Sequence, residues 1–535
     1  MVRQKQKARI GAPLLLAGWF AVAFGALNAY WALWMPNQLD ADMASEQVLA
    51  HLLAQSPGLS VLSTEWCYST ELRVLNTQLV MAPLFRLLDN WHLVRVLGSL
   101  ILMILYLAAW FFFARKVGLR HGGLLGGILL VLPLGPLYSQ YVLAGLYYIP
   151  HIAITFFSLG CVFWAMRRRG PAQVAAVVLL CLVAFAAGLG GPRQLFVLYL
   201  PLTLAVGALA FLYCPLDRRG SRSLRRALAG PYGLAGVFSL AADLCAAAGY
   251  LINALVLSKT YLFETQDYLA YGSFSLTRIQ DLLAAWLAAF GWEQGSVFSL
   301  RTLFNLLALA FLVASLWVSV KLVLTRGICP EHRLVGALYL AAAVCFVFLY
   351  AFTNSGYSER YLLPLTVLAI PLLEIWRMDL ARRDRALLVC GALLLVFTLR
   401  GGVSDYQAAV QTNPNQATTQ FLLENGYTQG YASFWDGNVM TELSNGQIEV
   451  WTLGQNTVPE LRAWLQEKDH LEQPPQGKVF FVISKWEAWG ERQPTSQGLA
   501  DAMPDSALIY EDDDHKIYGF ESDAAMRAAC GFSAF

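Results

Sequence analysis

The chain alternates about eleven apolar stretches of membrane-spanning length with polar connections, and every second connection is basic. The bases cluster at Arg3 to Arg9, Arg115 to Arg120, Arg167 to Arg169, Arg218 to Arg226, Lys321 to Arg333 and Arg377 to Arg385. Positive residues stay on the cytoplasmic face, so the pattern places the amino terminus inside and, after an odd number of crossings, the carboxyl terminus outside. Hydrophobic residues at 57% against 14% charged fit burial in lipid better than one water-surrounded core, because soluble domains carry about 25% charge. A formal charge of +2, spread over inward connections rather than gathered in one stripe, argues against a nucleic-acid partner.

The predicted spans are residues 12–35, 93–114, 123–143, 148–166, 172–189, 195–213, 232–256, 301–324, 334–352, 361–376 and 386–400. The first is too long and too rich in Trp and Tyr for a cleaved signal peptide and reads as a retained span. The expected fold is a polytopic α-helical membrane protein with a small C-terminal extracytoplasmic α/β domain. Residues 1–400 make the transmembrane domain, interrupted by outside loops at 36–92 and 257–300, and residues 401–535 make the outer domain. In that domain GYASF, IEVWTL, KVFFVIS, ALIYE and KIYGFE read as strands, and NPNQATTQFLLENGY and VPELRAWLQEK as helices. Of nine cysteines only Cys67 and Cys530 are expected to face the outside, and nothing beyond that placement supports a disulfide between them. No Cys and His spacing resembles a zinc site.

The first outside loop is acidic. In LDADMASEQVLAHLLAQ, Asp42, Glu46, Leu49 and Leu53 recur at i, i+4, i+7 and i+11, which puts two carboxylates at one end of a helical face. Capping by Asp40, with Asp42 and Glu46 favouring the positive helix end, accounts for all three without any chemistry. A second stretch, STELRVLNTQLVMAPLFRLL, aligns Leu72, Leu75, Leu79 and Ala82 on one side of an expected interfacial helix. Beside it Glu65, Trp66, Tyr68, Glu71 and Arg73 combine aromatic faces with carboxylates and a base, the groups that bind a sugar.

This layout of one span, an outside loop that opens on an acidic residue and holds two surface helices, then many spans with short connections, resembles the GT-C superfamily of membrane glycosyltransferases. The superfamily includes protein O-mannosyltransferases and aminoarabinose transferase-like enzymes. Two strings add to the likeness: GLGGPRQLFVLYLPL around Arg193, and SERYLLPLTVLAIPLL around Arg360 and Tyr361, similar to the run that opens a late span in such enzymes. FWDGN at Phe434 to Asn438 lacks the sequon-reading pattern of oligosaccharyltransferases, which argues against asparagine glycosylation.

The resemblance implies transfer of a sugar from a polyprenyl-phosphate carrier to an envelope glycan or lipid, on the outer side of a bacterial cytoplasmic membrane. Such transfer needs a carboxylate to take the acceptor's proton and a cation to stabilise the departing phosphate. Asp42 is the first candidate base and Asp40 the second; their DAD string is also a candidate divalent-cation ligand. Arg193 and Arg360, in short outside turns, are the candidate phosphate clamp, and each alone is equally explained as an interfacial anchor. Gly190 and Gly191 would permit close backbone approach to an anion. Glu46, Glu71, Tyr68, Arg73 and Tyr361 complete the candidate substrate contacts, and Trp435, Asp436 and Asn438 are candidate sugar contacts in the outer domain.

His92, Arg95, Tyr147, Tyr148 and His151 are candidates to line the same cavity but read first as members of interfacial belts; Glu264 and Asp267 are equally explained as closing over the acceptor or as a solvated turn, and Asp512 to Asp514 read as a hairpin turn. The alternative class is a transporter or flippase of a lipid-linked saccharide, toward which Asp243 within a span points. A noncatalytic glycan binder is the third.

Overall fold

The structure is a computed structural model that describes residues 2–58, 60–214, 230, 232–263, 272, 274–293, 300–353, 358–380, 401–403, 406–454, 460–485 and 501–532. The expected inward cluster Arg218 to Arg226, the expected span 386–400 and the loop acids Glu264 and Asp267 lie outside the described residues. In chain order the principal helices are α1 (Val2–Trp34), α2 (Ala41–Gln55), α3 (Gln78–Phe85), α4 (Trp91–Val117), α5 (Leu124–Leu130), α6 (Ile149–Arg167), α7 (Pro171–Gly190) and α8 (Leu195–Leu212). They continue as α9 (Gly233–Leu255), α10 (Leu276–Ala289), α11 (Leu300–Leu324), α12 (Pro330–Phe352), α13 (Glu359–Met378), α14 (Pro414–Glu424), α15 (Phe434–Leu443) and α16 (Asp523–Cys530). Among the described residues nine helical segments are long and apolar enough to cross a membrane, carried by α1, α4, α6, α7, α8, α9, α11, α12 and α13. The chain is therefore a multi-pass helical membrane protein.

One expected span is not a single continuous helix. Residues 123–143 form α5, then a short helical turn at Pro136–Tyr138 that continues as a wide turn over Ser139–Ala144. Pro133 and Pro136 withhold two amide donors, and Gly135 sits at φ +154, where a Cβ would stand 3.0 Å from Gly291 Cα. Broken backbone in an apolar setting must find other partners. The Tyr138 hydroxyl donates to Leu130 O at 2.6 Å, and the Glu374 carboxylate accepts from Gly126 N at 2.7 Å.

Contacts divide the chain into two compact units. The first comprises Met1–Tyr30, Leu102–Val256 and Gln266–Gln407; the second comprises Trp31–Ile101, Leu257–Thr265 and Ala408–Phe535. In the first unit, α7 and α9 approach through small residues. A Cβ on Gly188 would lie 2.1 Å from Ala246 O, and one on Gly249 would lie 2.2 Å from Phe185 O. Small residues let apolar helices touch backbone to backbone where lipid supplies no hydrophobic drive.

The second unit holds a five-stranded sheet with strands β2 (Gln429–Ser433), β3 (Glu449–Leu453), β5 (Val479–Ser484), β6 (Leu508–Glu511) and β7 (His515–Phe520), in the order β3-β2-β5-β7-β6. β2 runs parallel to β3 and β5, and β7 runs antiparallel to β5 and β6. All five expected strands are present. Alternate residues feed a core on each face, Tyr431, Phe481 and Tyr518 on one, Ala432, Phe480 and Ile517 on the other. The Asp512 to Asp514 turn also forms as expected, with Asp512 accepting from Asp514 N and His515 N at 2.9 and 2.7 Å.

Two expected helices are corrected. From 460 to 467 the described chain holds no helix but the two-residue strand β4 (Gln466–Glu467), which pairs with β1 (Trp66–Cys67), and a short 3-10 turn follows at Lys468–Leu471. Gln466 is held by its own amide, which accepts from Thr452 N at 3.0 Å and donates to Thr452 O at 3.2 Å. The helix expected from Ser69 begins only at Gln78, because the preceding backbone is paired elsewhere: Cys67 O accepts from Leu465 N and Tyr68 N donates to Leu262 O. Cys67 and Cys530 are both free. Burial, offset only in part by Lys468, pushes the Cys67 thiol up to about 11.

Candidate functional site

The head of α2 is built as the sequence spacing predicts. Asp40 takes the extended backbone of an N-cap, and its carboxylate accepts from Met43 N at 2.8 Å. Asp42 follows in the first turn, half-buried. Glu46 stands one turn further along the same face and is buried. Its two carboxylate oxygens accept from the Arg73 guanidinium and the Thr77 hydroxyl, and Arg73 also reaches Ser69 Oγ at 3.5 Å.

That arrangement gives three of the expected sugar contacts partners within the chain. Glu46 and Arg73 neutralise each other, so they brace α2 against the segment that enters α3. Tyr68 is fully buried, with its hydroxyl accepting from Ser63 N at 2.8 Å, and burial holds its ionisation above the ordinary tyrosine range. These groups give α2 a fixed bed, while Asp42 and Glu71 stay half-buried at its margin. Asp40 spends one oxygen on capping the amide of Met43.

A second set of side chains, in roles the sequence pattern does not indicate, locks α2. Asn438 on α15 donates to Ser45 Oγ and to Leu465 O, both at 2.8 Å. Arg95 makes a two-pronged ion pair with Glu442 on α15, and its Nη2 also donates to Met43 O at 2.9 Å. Gln47 donates to Trp91 O at 2.6 Å, and Asn413 donates to Leu39 O at 3.0 Å. The one available signal was the spacing of Asn438 and Glu442, four apart and so on one helical face. Of the expected sugar contacts in this domain, Asp436 and Asn438 are buried with hydrogen-bond partners, and Trp435, half-buried, packs its ring on Phe434.

Asp436 lies within a polar core network. It accepts from Ser433 Oγ at 2.7 Å and faces His515 Nε2 at 3.4 Å, while Thr418 Oγ1 meets His515 Nδ1 at 3.0 Å. Burial alone would raise the carboxylate; the His515 hydrogen bond and charge, joined by Ser433 and Asn415, outweigh it and hold Asp436 below the ordinary range. Burial alone would lower the imidazole; Asp436, with Asp512 and Asp514, outweighs it and holds His515 above its ordinary value.

In the first unit both candidate phosphate arginines belong to one aromatic cluster. Arg193, in the turn between α7 and α8, stands 5.0 Å from the Tyr361 ring centroid and 5.4 Å from that of Tyr148, whose hydroxyl accepts from Nη1 at 3.1 Å. His151 Nε2 lies 3.4 Å from the same Nη1. Arg360 stands 5.5 Å from the Tyr141 ring, and Tyr141, Tyr147 and Tyr148 pack edge to face or tilted at 5.7 to 5.9 Å. The turn is possible because Gly191 ends α7 at φ +146, and Asn253 donates to Leu189 O at 2.8 Å to satisfy that helix end. Tyr147, Tyr148 and His151, set down as interfacial belt residues, are thus brought to the arginines.

Among the described residues no three His, Cys, Asp or Glu side chains converge in a way that could hold a metal ion. No family model matches this sequence, and no curated protein matches it.

Proposed function

We propose that this chain is a membrane glycosyltransferase with a GT-C-like fold that moves a sugar from a polyprenyl-phosphate carrier to an envelope glycan or lipid on the outer side of a bacterial cytoplasmic membrane. The observation that carries the reading is the cluster of Arg193, Arg360 and four tyrosines, with His151, built in the turns at the ends of membrane-length helices. Two guanidiniums held over aromatic rings suit a phosphate anion, since arginine offers forked donors and the tyrosines fix its plane.

In the proposed reaction the acceptor hydroxyl oxygen attacks the anomeric carbon of the donor sugar. The bond from that carbon to the phosphate oxygen breaks, and its electron pair leaves with the polyprenyl phosphate, whose charge Arg193 and Arg360 balance. The hydroxyl proton passes to the Asp42 carboxylate. No step is routed through a metal ion, and phosphate needs no separate acid to depart. Glu71 and Tyr361 remain as substrate contacts in this reading.

The test is transfer of radiolabel from a panel of polyprenyl-phosphate sugars to envelope extract, with wild type beside a folded Asp42→Asn variant. Transfer by wild type, lost in the variant, supports both enzyme and base. Transfer equal in both moves the base to Asp40 or Glu71, and no transfer from any donor removes the enzyme reading. A second reading rests on Asp243, half-buried within α9: an ionisable group inside a span marks a path through the membrane. Movement of a lipid-linked saccharide across vesicles, without transfer and lost in Asp243→Asn, would put a transporter or flippase first.

A further inference from the structure

We infer that the C-terminal α/β domain positions Asp42, with Asn438 and Glu442 of α15 as its positioning residues; the inference rests on the assignment of Asp42 as the base. The restraints fall on the residues next to Asp42. Met43, its neighbour, has its carbonyl bound by Arg95, and Arg95 is itself gripped by Glu442 through two hydrogen bonds. Ser45, three residues on, receives the Asn438 amide. The remaining Asn438 proton goes to Leu465 O, so the same amide also holds the chain that enters β4. Asp40 pins the amide side of the same turn. The first turn of α2 is therefore tied on both of its backbone polar groups and on one side chain.

α15 can serve as a fixed reference because it is seated on the sheet. It follows β2 directly, and at Gly437 a Cβ would stand 2.8 Å from Thr452 Cγ2 on β3, so the helix lies in direct contact with that strand. A general base has to sit within hydrogen-bond reach of the proton it takes, and a displacement on the order of 1 Å can cost about a hundredfold in rate. Asp42 sits near a helix end, where fraying is otherwise easiest. The links from α15 remove that freedom without touching the carboxylate.

The experiment compares full-length wild type, Ser45→Ala and Asn438→Ala in two measurements: hydrogen exchange of residues 41–46, and transfer kinetics with the donor that wild type uses. Ser45→Ala deletes the acceptor on α2, leaves Asn438 bonded to Leu465 O, and puts the best helix former in a helix. It keeps the test meaningful if Asn438→Ala fails to fold. The expected result is faster exchange confined to the first turns of α2, unchanged protection of β2 and β5, and kcat lowered by about ten- to a hundredfold with KM for the donor unchanged. Exchange and kcat both equal to wild type in Ser45→Ala overturn the positioning role. Faster exchange with kcat unchanged, or a rise in KM alone, also overturns it. The reading of Asp42 as base fails separately, by full transfer in Asp42→Asn, and that failure leaves the exchange result standing as a purely structural link.

Discussion

Arg95 and Glu442 form a two-pronged ion pair in which the side chains are only 1% and 4% exposed, although 346 residues of chain lie between them. Nη2 meets Oε2 at 2.6 Å, and Met43 O takes the further donor of the same nitrogen. Burying two charges costs several kcal/mol each, so the pair holds only while both members are present. Glu442→Ala leaves an uncompensated guanidinium and should destabilise the protein by about 3–5 kcal/mol, read as a fall in melting temperature in detergent. Replacing both residues together by apolar side chains of similar volume should recover most of that loss. A double variant as unstable as the single one would show that the pair contributes more than mutual neutralisation.

Glu46 and Asp42 share a helical face yet should respond in opposite ways. Glu46 is buried and accepts from Arg73 and Thr77, so Glu46→Ala strands a guanidinium and a buried hydroxyl. A stability loss of about 2–4 kcal/mol is expected, from the charged bond and the unsatisfied donors together. Asp42 is half-buried, and Asp42→Asn should leave the melting temperature within about 0.5 kcal/mol equivalent of wild type while removing transfer. Thermal melts run beside the transfer assay separate the two roles; equal destabilisation by both substitutions would make Asp42 structural.

The Asp436 and His515 pair ties stability of the outer domain to pH. Asp436 is held below the ordinary aspartate value of 3.8, so its share of stability is present above that pH and is lost as pH falls through the folded value. His515 is held above 6.5, so its share is complete below 6.5 and is lost as pH rises through the folded value. The two statements describe one interaction, strongest between roughly pH 4 and 6.5. Stability should fall as pH rises from about 6.5 to the folded value of His515, by up to about 1.4 kcal/mol per pH unit while only the unfolded chain has released the proton, and level off above it. Melting temperature followed from pH 6 to pH 9 reads this fall, which should disappear in His515→Gln. A slope retained in that variant would assign the titration to another group.

The membrane character, the five strands and the acidic helix at the start of the first loop were legible because each rests on local pattern. Spans show as length and apolarity, VFFVIS alternates onto two cores, and Asp42 and Glu46 keep helical spacing. Most of the failures share one cause, partners that lie far along the chain. The break at 131–135 is the exception: Pro133, Gly135 and Pro136 mark it locally, and the Tyr138 hydroxyl then holds Leu130 O. Gln466 trades helix for a bond to Thr452, fourteen residues away. Arg95 reads as an interfacial base until Glu442 arrives beside it. The arginines at 193 and 360 were legible as isolated bases in turns, but their common aromatic cluster depends on tyrosines from three separate segments.

The contact of α7 with α9 brings backbone against backbone in the first unit. A Cβ at Gly249 would lie 2.2 Å from Phe185 O and 2.9 Å from Leu189 N, and both are backbone atoms that no rotamer change can move. Gly188 has the same relation to Ala246 O at 2.1 Å. Gly249→Ala must therefore part the two helices, at about 1–3 kcal/mol for overpacking. Separation also withdraws Asn253 from Leu189 O, the bond that closes the end of α7 just before Arg193. The loss should thus reach the arginine turn: Gly249→Ala is expected to lower both melting temperature and affinity for a polyprenyl-phosphate donor. Gly236→Ala, whose Cβ would meet only Val206 Cγ1 at an ordinary 3.6 Å on the same helix, should leave both unchanged. Donor affinity measured on the two variants decides whether this glycine contact carries the geometry of the arginine turn or only the packing of two helices.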